Sequence, residues 1–532
     1  MAWDEEKQHG QPEELISSIP DRPQRPLTAD EKLAATQVNV DSRVPSSESG
    51  SENDTTNVYN NVTVTQDNGI LSKLRNFEAL LDRNLGVESE AIDRKLPQDR
   101  KPQPWHAQLN MALLWASGTM NVSCFATGLL GWEFGLSLKQ SILIVVFASL
   151  LGGAVSGFCA TMGAATGLRQ ISIGRYSMGW WPNRIIAALN TVQQIGWSAV
   201  GCITGGLALT AVSDGGVSII PGIIIIACCS LATSFLGLRA ILAYEKYAWL
   251  VYFTIFLVIF GETGSSPASV KGADLSGTVL SLLAIVYGSS ASWATIASDY
   301  YVHYAVDVNR TKVFFMTTFG IAIPTSIGMM AGCVAMNNRP DWKDSYENRG
   351  LGFLIRDMLY PSGFAKFILV LLVLSGINMN VLNTYSAGLS CQQFSRPFSK
   401  IPRFIWTILC FGVIVALALA GRNHLLTYLQ NFLSLLGYWC TSYALFRKGK
   451  FANYDLEGWN DPSRLPLGIA GFTAFALGVI AWAMGMVQTW YVGPLGRLIG
   501  SSGGDVSNQF ALVVTALSYI PMRYLELKYF GR

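Results

Sequence analysis

Charged residues are scarce in this chain. They make up 14% of its 532 residues, whereas a soluble globular protein carries about 25%. Hydrophobic residues account for 50%, which argues against an ordinary soluble domain. The formal net charge is only +3, and no stripe of basic residues runs along any segment, so we expect no nucleic-acid partner.

Potential metal ligands and catalytic groups are also few. The nine cysteines lie in or beside apolar runs, and none has the spacing of a zinc site. No nucleophile stands beside a base at membrane depth, and no metal pair is formed by the four histidines, which are His9, His106, His303 and His424. We therefore predict no metal, no cofactor and no enzymatic activity.

The first 105 residues differ in composition from the rest. They are polar, rich in Pro, Ser, Asn, Asp and Glu, and too poor in apolar residues to fold alone. No apolar run opens the chain, which argues against a cleavable signal peptide. We predict a disordered cytoplasmic tail over residues 1–105.

From Leu109 onward, twelve apolar segments follow one another, each near the roughly 20 residues that cross a bilayer as a helix. This pattern predicts an all-α integral membrane protein whose partner is the lipid bilayer. Lys and Arg concentrate in the loops that share one side when both termini are cytoplasmic, which favours that orientation. The segments cover 110–131, 140–163, 184–211, 217–237, 246–261, 276–297, 312–335, 364–388, 403–421, 424–446, 466–489 and 508–526.

Two of these spans carry polar, glycine-containing interruptions where a membrane helix should be driest. The first span is interrupted at Ser117–Ser123 and the sixth at Gly288–Trp293. Unpaired backbone in lipid costs several kcal/mol, so irregular segments survive at membrane depth only where they line a cavity. Two interrupted helices at matching places in two halves indicate the binding site of a secondary transporter.

Aromatic side chains in two spans point to a flat ligand. Asn190, Gln194, Trp197 and Gly201 share one face of span three, and Trp293 ends the interruption of span six. Two facing indoles would clamp a planar heterocycle, because base–aromatic stacking contributes about 1–3 kcal/mol per base. Packing, or a place in an interfacial aromatic belt, is the alternative for these tryptophans.

Span eight contains Asn378, Asn380 and Asn383 within six residues. A carboxamide offers a donor and an acceptor together, which matches the edge of a nucleobase. Asn380 and Asn383 share a helical face, and we expect Asn380 to contact the ligand. Hydrogen bonding between helices is the alternative and stays open for Asn383, whereas Asn378 is expected to face away.

Two acids lie near the ends of spans. Glu245 opens span five, and Asp299 closes span six, where we expect a cytoplasmic helix end. A desolvated carboxylate binds a proton more readily than an exposed one, so Glu245 is the candidate proton carrier. An interfacial ion pair with Lys246 is the alternative.

Several short motifs between Leu109 and Arg532 resemble those of the fungal purine-cytosine permeases of nucleobase–cation–symport family 1. The resemblance implies a LeuT-like core of five plus five inverted-repeat helices over residues 106–446, with the first and sixth helices broken. It also implies two additional helices over 447–526 and a cytoplasmic C-terminus at 527–532. The motifs are Gly167–Gln170, Gly174–Tyr176, Ala243–Lys246, Ser298–Tyr300, Lys400–Arg403, Leu465–Gly471, Gly496–Gly500 and Leu525–Arg532.

The same resemblance implies a function and a site. The function is proton-coupled import of adenine, guanine, hypoxanthine and cytosine at the plasma membrane by alternating access. The residues that match the family's site by position are Ser117, Trp197, Trp293, Asn380 and Asn383 for the substrate, and Glu245 for the proton. At Ser375–Gly376, span eight also lacks the paired hydroxyl groups that resemble the sodium site of bacterial relatives. This difference favours a proton over sodium as the co-transported ion.

Gly201 departs from the family pattern. Members that take purines and cytosine commonly carry an asparagine at this place, so a base-reading amide is missing and we expect a roomier pocket around Gly201. A transporter of another planar heterocycle, such as vitamin B6 (pyridoxine), is therefore the second hypothesis. A nutrient-sensing membrane receptor is the third.

Overall fold

The structure is a computed structural model that is mostly helical in its described part. It describes residues 73–77, 80, 92–100, 102, 104–234, 237–260, 270–335, 340–444 and 454–532. Most of the predicted tail over 1–105 lies outside the described residues, so its disorder stays a prediction. An isolated β bridge pairs Val487 with Val492.

The α-helices from Trp105 onward are numbered α1 to α17 along the described chain. Short 3₁₀ turns add Ser292–Thr295 and Ala297–Tyr300 directly after α8. The helices are α1 (Trp105–Thr119), α2 (Val122–Glu133), α3 (Leu138–Thr166), α4 (Gln170–Met178), α5 (Asn183–Val212), α6 (Ile219–Ser234), α7 (Gly237–Phe260), α8 (Gly272–Ala291), α9 (Arg310–Ala335), α10 (Pro340–Arg349), α11 (Leu351–Met358), α12 (Ser362–Phe394), α13 (Arg396–Ser399), α14 (Arg403–Gly421), α15 (Leu425–Ala444), α16 (Ile469–Gly485) and α17 (Ser507–Phe530).

Seven of the described helices are long and apolar enough to cross a membrane, and the bent pair α1–α2 makes an eighth if it is one span. The seven are α3, α5, α8 with its following turn, α9, α12, α14 and α17. The remaining predicted spans coincide with the shorter apolar helices α6, α7 and α16 and with α15. The all-α membrane class is confirmed, and the full count of twelve crossings stays a prediction.

The first span breaks where its polar residues predict. α1 ends at Thr119, α2 begins at Val122, and the two are bent by 59°. Asn121 caps α2 by accepting a hydrogen bond from the backbone N–H of Cys124 at 3.1 Å. Its Nδ2 donates to the carbonyl of Gly118 at 3.0 Å. One carboxamide therefore satisfies backbone groups on both sides of the break.

The sixth span changes from α-helix to 3₁₀ turns at Ser292, whereas the interruption was predicted to begin at Gly288. α8 runs through Gly288 because this glycine is used for packing. A Cβ at Gly288 would lie less than 3.0 Å from the carbonyl oxygen of Leu433 in α15. The glycine therefore permits close approach of two helices, and the irregular backbone begins after it.

Helix packing brings the interrupted spans and span eight together. α12 packs along α5, and α3 packs against both α8 and α9. α12 also contacts α1 and α2 on either side of the first break. This arrangement buries two different faces of α12, one against α5 and one against the broken first span.

The two terminal helices are joined to each other by a capping carboxylate. Glu526 of α17 is buried and accepts hydrogen bonds from the backbone N–H groups of Gly468 at 2.7 Å and Ile469 at 3.1 Å. Gly468 also lies against α4, where a Cβ would come within 3.0 Å of the Met178 carbonyl oxygen. Residues of the motifs Leu465–Gly471 and Leu525–Arg532 therefore meet in space.

Candidate functional site

The polar face of span three, carried by α5, holds the turn that follows α8. The indole Nε1 of Trp197 donates to Ser292 Oγ at 3.3 Å. Gln193 Nε2 donates to the Ser292 carbonyl at 2.8 Å and to Thr295 Oγ1 at 2.9 Å. Thr295 Oγ1 in turn donates to Asn190 Oδ1 at 2.6 Å. These bonds satisfy backbone and side-chain groups that would otherwise be unpaired at the break.

Gln193 is a functional candidate that the sequence analysis missed. Besides bonding to the 3₁₀ turn, its Oε1 accepts a hydrogen bond from the thiol of Cys440 in α15 at 3.4 Å. It therefore joins three spans. Its spacing, three residues after Asn190 and four before Trp197, also fits one helical face and was the available signal.

Both predicted stacking tryptophans are buried, and each has an aromatic neighbour. Trp293 makes an edge contact with Trp115, with ring centroids 5.6 Å apart and planes at 72°. Trp197 makes a similar contact with Phe432 at 5.9 Å and 76°. Edge-to-face contacts are favourable and restrict the plane of each ring. Stacking of a ligand between Trp197 and Trp293 stays a prediction.

Span eight reaches the break of the first span through Asn378. Its Nδ2 donates to Ser117 Oγ at 3.2 Å, and both residues are buried. The prediction that Asn378 faces away is therefore wrong, because α12 has a second buried face. At the same break a Cβ on Gly118 would lie 2.9 Å from Leu382 and 4.0 Å from the ring of Trp293.

Asn380 is directed towards α5. Its Nδ2 donates to Cys202 Sγ at 3.2 Å, and its Oδ1 has no hydrogen-bond partner among the described residues. A Cβ at Gly201 would lie less than 3.0 Å from that oxygen. The prediction of a roomier pocket around Gly201 is therefore wrong, since the space that its missing side chain leaves is filled by the Asn380 carboxamide.

Asn383 differs from its neighbour. It is 1% exposed, and neither its Nδ2 nor its Oδ1 has a hydrogen-bond partner in the part of the chain that the structure describes. Burying an unpaired amide costs roughly 1–3 kcal/mol. Of the two amides that share this face of α12, Asn383 therefore has the greater need of a polar partner.

A buried cluster joins the turn after span six to α4 and α12. Arg169 donates to the Asp299 carbonyl at 2.8 Å and to the hydroxyl of Tyr385 at 3.4 Å. The Asp299 carboxylate accepts from the backbone N–H of Gln170 at 2.7 Å, at the start of α4. Residues of the motifs Gly167–Gln170 and Ser298–Tyr300 thus meet at the second 3₁₀ turn.

For Glu245, the candidate proton carrier, the structure describes the backbone only. Glu245 lies within α7, but its side chain is outside the described residues, so its role stays a prediction. Among the residues that the structure describes, no group of three or more His, Cys, Asp and Glu side chains could hold a metal ion.

A protein-family model matches most of this chain. The model for permeases for cytosine/purines, uracil, thiamine and allantoin matches residues 100–493. The chain belongs to this permease family. It is a membrane transporter and not an enzyme.

Two curated relatives align with most of this permease. The chain is 33% identical over 479 residues to the purine-cytosine permease FCY2 of Saccharomyces cerevisiae, which covers 86% of this chain and 88% of that protein. It is 30% identical over 534 residues to the vitamin B6 transporter TPN1 of the same yeast, with 87% of this chain and 92% of that protein covered.

The fold of this permease is that of a solved transporter. Mhp1, a nucleobase-cation-symport-1 family transporter, in a closed conformation with bromovinylhydantoin bound, superimposes with a TM-score of 0.63. The match covers 83% of this chain and 96% of that one at 14% identity, so it shows the fold alone. The predicted LeuT-like fold is confirmed.

Proposed function

We propose that this permease is a proton-coupled symporter that imports purine bases and cytosine (adenine, guanine, hypoxanthine and cytosine) across the plasma membrane by alternating access. The observation that carries the proposal is the contact of α5 with the 3₁₀ turn of span six, through Trp197, Gln193 and Asn190. The relationship to FCY2 supports the choice of substrate.

The substrate stacks between Trp197, which donates to the Ser292 hydroxyl, and Trp293, which follows Ser292 in the 3₁₀ turn. Each aromatic contact would contribute about 1–3 kcal/mol. The polar edge of the base bonds to the amide of Asn383, whose two polar atoms have no partner among the described residues. Ser117 and Asn380 complete the site, and Gly201 leaves the space that the Asn380 carboxamide occupies.

A proton accompanies the substrate inward, carried by Glu245. One charge that moves through a membrane potential of about 100 mV contributes about 2.3 kcal/mol. One unit of pH difference contributes about 1.4 kcal/mol more. Because a factor of ten corresponds to about 1.4 kcal/mol, one proton per base supports accumulation on the order of several hundred-fold.

The proposed topology places both termini in the cytoplasm. Residues 1–105 form a cytoplasmic tail, 106–446 the ten-helix transport core, 447–526 two additional membrane helices, and 527–532 the cytoplasmic C-terminus. The excess of Lys and Arg in the loops on the side of the termini supports this orientation.

Uptake in a permease-null yeast tests the proposal. Accumulation of radiolabelled cytosine or adenine is measured with competition by hypoxanthine, uracil, pyridoxine and allantoin, and with a protonophore. We expect competition by purine bases and collapse of accumulation with the protonophore. Glu245→Gln is expected to reduce uphill accumulation more than exchange, whereas equal loss of both would indicate a structural role for Glu245.

Transport of vitamin B6 is the second candidate. The relationship to TPN1 and the absence of a base-reading amide at position 201 favour it. The same competition panel separates the two, because pyridoxine would then compete more strongly than any base. Binding of a base without transmembrane flux would instead favour a receptor.

A further inference from the structure

Asn380 is held by two consecutive residues of α5. Its Nδ2 donates to Cys202 Sγ at 3.2 Å, and its Oδ1 lies over Gly201. Asn380 is 1% exposed, so water does not compete for its amide. The Cys202 sulfur therefore fixes the Nδ2 end of the Asn380 carboxamide, and the space beside Gly201 accommodates its Oδ1 end.

The backbones of α5 and α12 are in close contact beside this pair. A Cβ on Gly376, one turn before Asn380, would lie 3.3 Å from the carbonyl oxygen of Gly201. The helices therefore have little freedom to separate. A side chain added at Gly201 would come within 3.0 Å of Asn380 Oδ1, and the end of the Asn380 side chain would have to move, because it is the flexible partner.

We propose that Gly201 and Cys202 form a seat that fixes the direction of the Asn380 carboxamide, and that positions 201, 202 and 380 together determine which substrate edge this permease prefers. The proposal deepens the proposed function and rests on it for the substrate. Cys202 acts as a positioning residue, and Gly201 acts by leaving space. Neither needs to touch the ligand.

A double-mutant cycle tests the coupling. Asn380→Ala removes the amide and Gly201→Ala displaces it, so each is expected to lower uptake about 5- to 10-fold, the effect of losing one hydrogen bond. The double variant is expected to be no worse than Asn380→Ala alone. Gly412→Ala is the control, since a Cβ there meets nothing within 4 Å. If the fold-losses of uptake in the two single variants multiply in the double variant, the proposal is wrong.

Cys202 has its own readout. Cys202→Ala leaves the Asn380 N–H without a partner, whereas Cys202→Ser keeps an acceptor at that place. We expect Cys202→Ala to change the order in which cytosine, adenine and pyridoxine compete, and Cys202→Ser to restore it. An unchanged order in Cys202→Ala would contradict the proposal.

Cross-linking tests the seat without transport. In Asn380→Cys, the new sulfur takes the place of Asn380 Cγ, close to Cys202 Sγ. With the other eight native cysteines replaced and a protease site inserted in the exposed loop at residues 214–216, copper–phenanthroline should hold the two fragments together. Asn383→Cys is the control and should not cross-link.

The two kinds of experiment separate the two proposals. If the permease takes up no base and no pyridoxine, the proposed function fails, while cross-linking of Asn380→Cys would still support the seat. If uptake is normal and no cross-link forms with native Cys202, the seat is overturned and the proposed function stands.

Discussion

Trp197 of the third predicted span donates its indole N–H to the hydroxyl of Ser292 at 3.3 Å, at the first residue of the turn that replaces α-helix in the sixth. The Ser292 hydroxyl donates onward to the Ser289 carbonyl at 2.8 Å. The residue after Ser292 is Trp293. One indole therefore helps to position the segment that carries the other, and any movement of the turn alters the separation of the two rings.

Ser292→Ala should reduce uptake without preventing surface delivery. It removes the acceptor for Trp197 and leaves a buried indole N–H unpaired, which costs about 1 kcal/mol or more. We expect uptake to fall about 5- to 10-fold. The matched control is Ser290→Ala in the same segment, because the Ser290 hydroxyl has no hydrogen-bond partner among the described residues. Equal losses in both variants would show that the bond has no special role.

Trp293→Ala should abolish uptake, while Trp293→Phe should retain a measurable part of it. Phenylalanine keeps an aromatic face next to Trp115, whereas alanine removes both the stacking surface and the packing. Radiolabelled uptake and surface biotinylation measure the two effects separately. Trp490→Ala is the control, since that ring is 63% exposed. Normal uptake by Trp293→Ala would contradict the proposal that the substrate stacks on this ring.

Glu526→Ala should destabilise the end of the terminal helix pair at which α16 begins and α17 ends. It removes the acceptor for two backbone N–H groups at the start of α16, and loss of such a cap costs about 0.5–2 kcal/mol. We expect a lower thermal unfolding temperature in detergent. Glu526→Gln keeps an acceptor and should lose less. The exposed Glu457→Ala serves as control, and an equal decrease there would contradict the capping role.

Hydropathy and polar interruptions predicted much of the architecture. The first break follows the sequence closely, because Asn121 is a strong helix N-cap and its neighbours are polar. The break of the sixth span was predicted too early in the chain. A glycine followed by serines is typical of a break, yet Gly288 allows α8 to pack closely against Leu433. Sequence alone does not distinguish a glycine that bends a helix from one that allows two helices to touch.

The details of the site depend on contacts between distant segments. Periodicity assigned Asn378 to the wrong environment, because α12 is buried on two faces rather than one. The contact of Asn380 with Gly201 and Cys202 joins residues that lie far apart in the chain. No local pattern reports such a contact. Residue types therefore identified the participating helices, while the pairing within the site required the structure.

The stability of the protein should also depend on Asp505, a buried acid just before α17. Burial raises the pKa of the Asp505 carboxyl group, although Tyr438 and the backbone N–H groups of Val487 and Ser507 donate hydrogen bonds to it. A raised pKa means that the folded protein binds this proton more tightly than the unfolded chain. The resulting stability is complete below the ordinary aspartate pKa of about 3.9 and is lost as the pH rises through the raised value.

Asp505→Asn removes this dependence, so the unfolding temperature of the variant minus that of the native protein should increase as the pH rises from about 4. Asp461→Asn should show the opposite slope, and at lower pH, below the ordinary aspartate pKa of about 3.9. The backbone N–H of Ser463 lowers the pKa of the half-buried Asp461, so that carboxylate stabilises the native protein above its ordinary pKa. Unfolding in detergent at a series of pH values measures both. If the Asp505→Asn difference is flat with pH, burial does not hold a proton on Asp505, and its hydrogen bonds outweigh the cost of removing the charge from water.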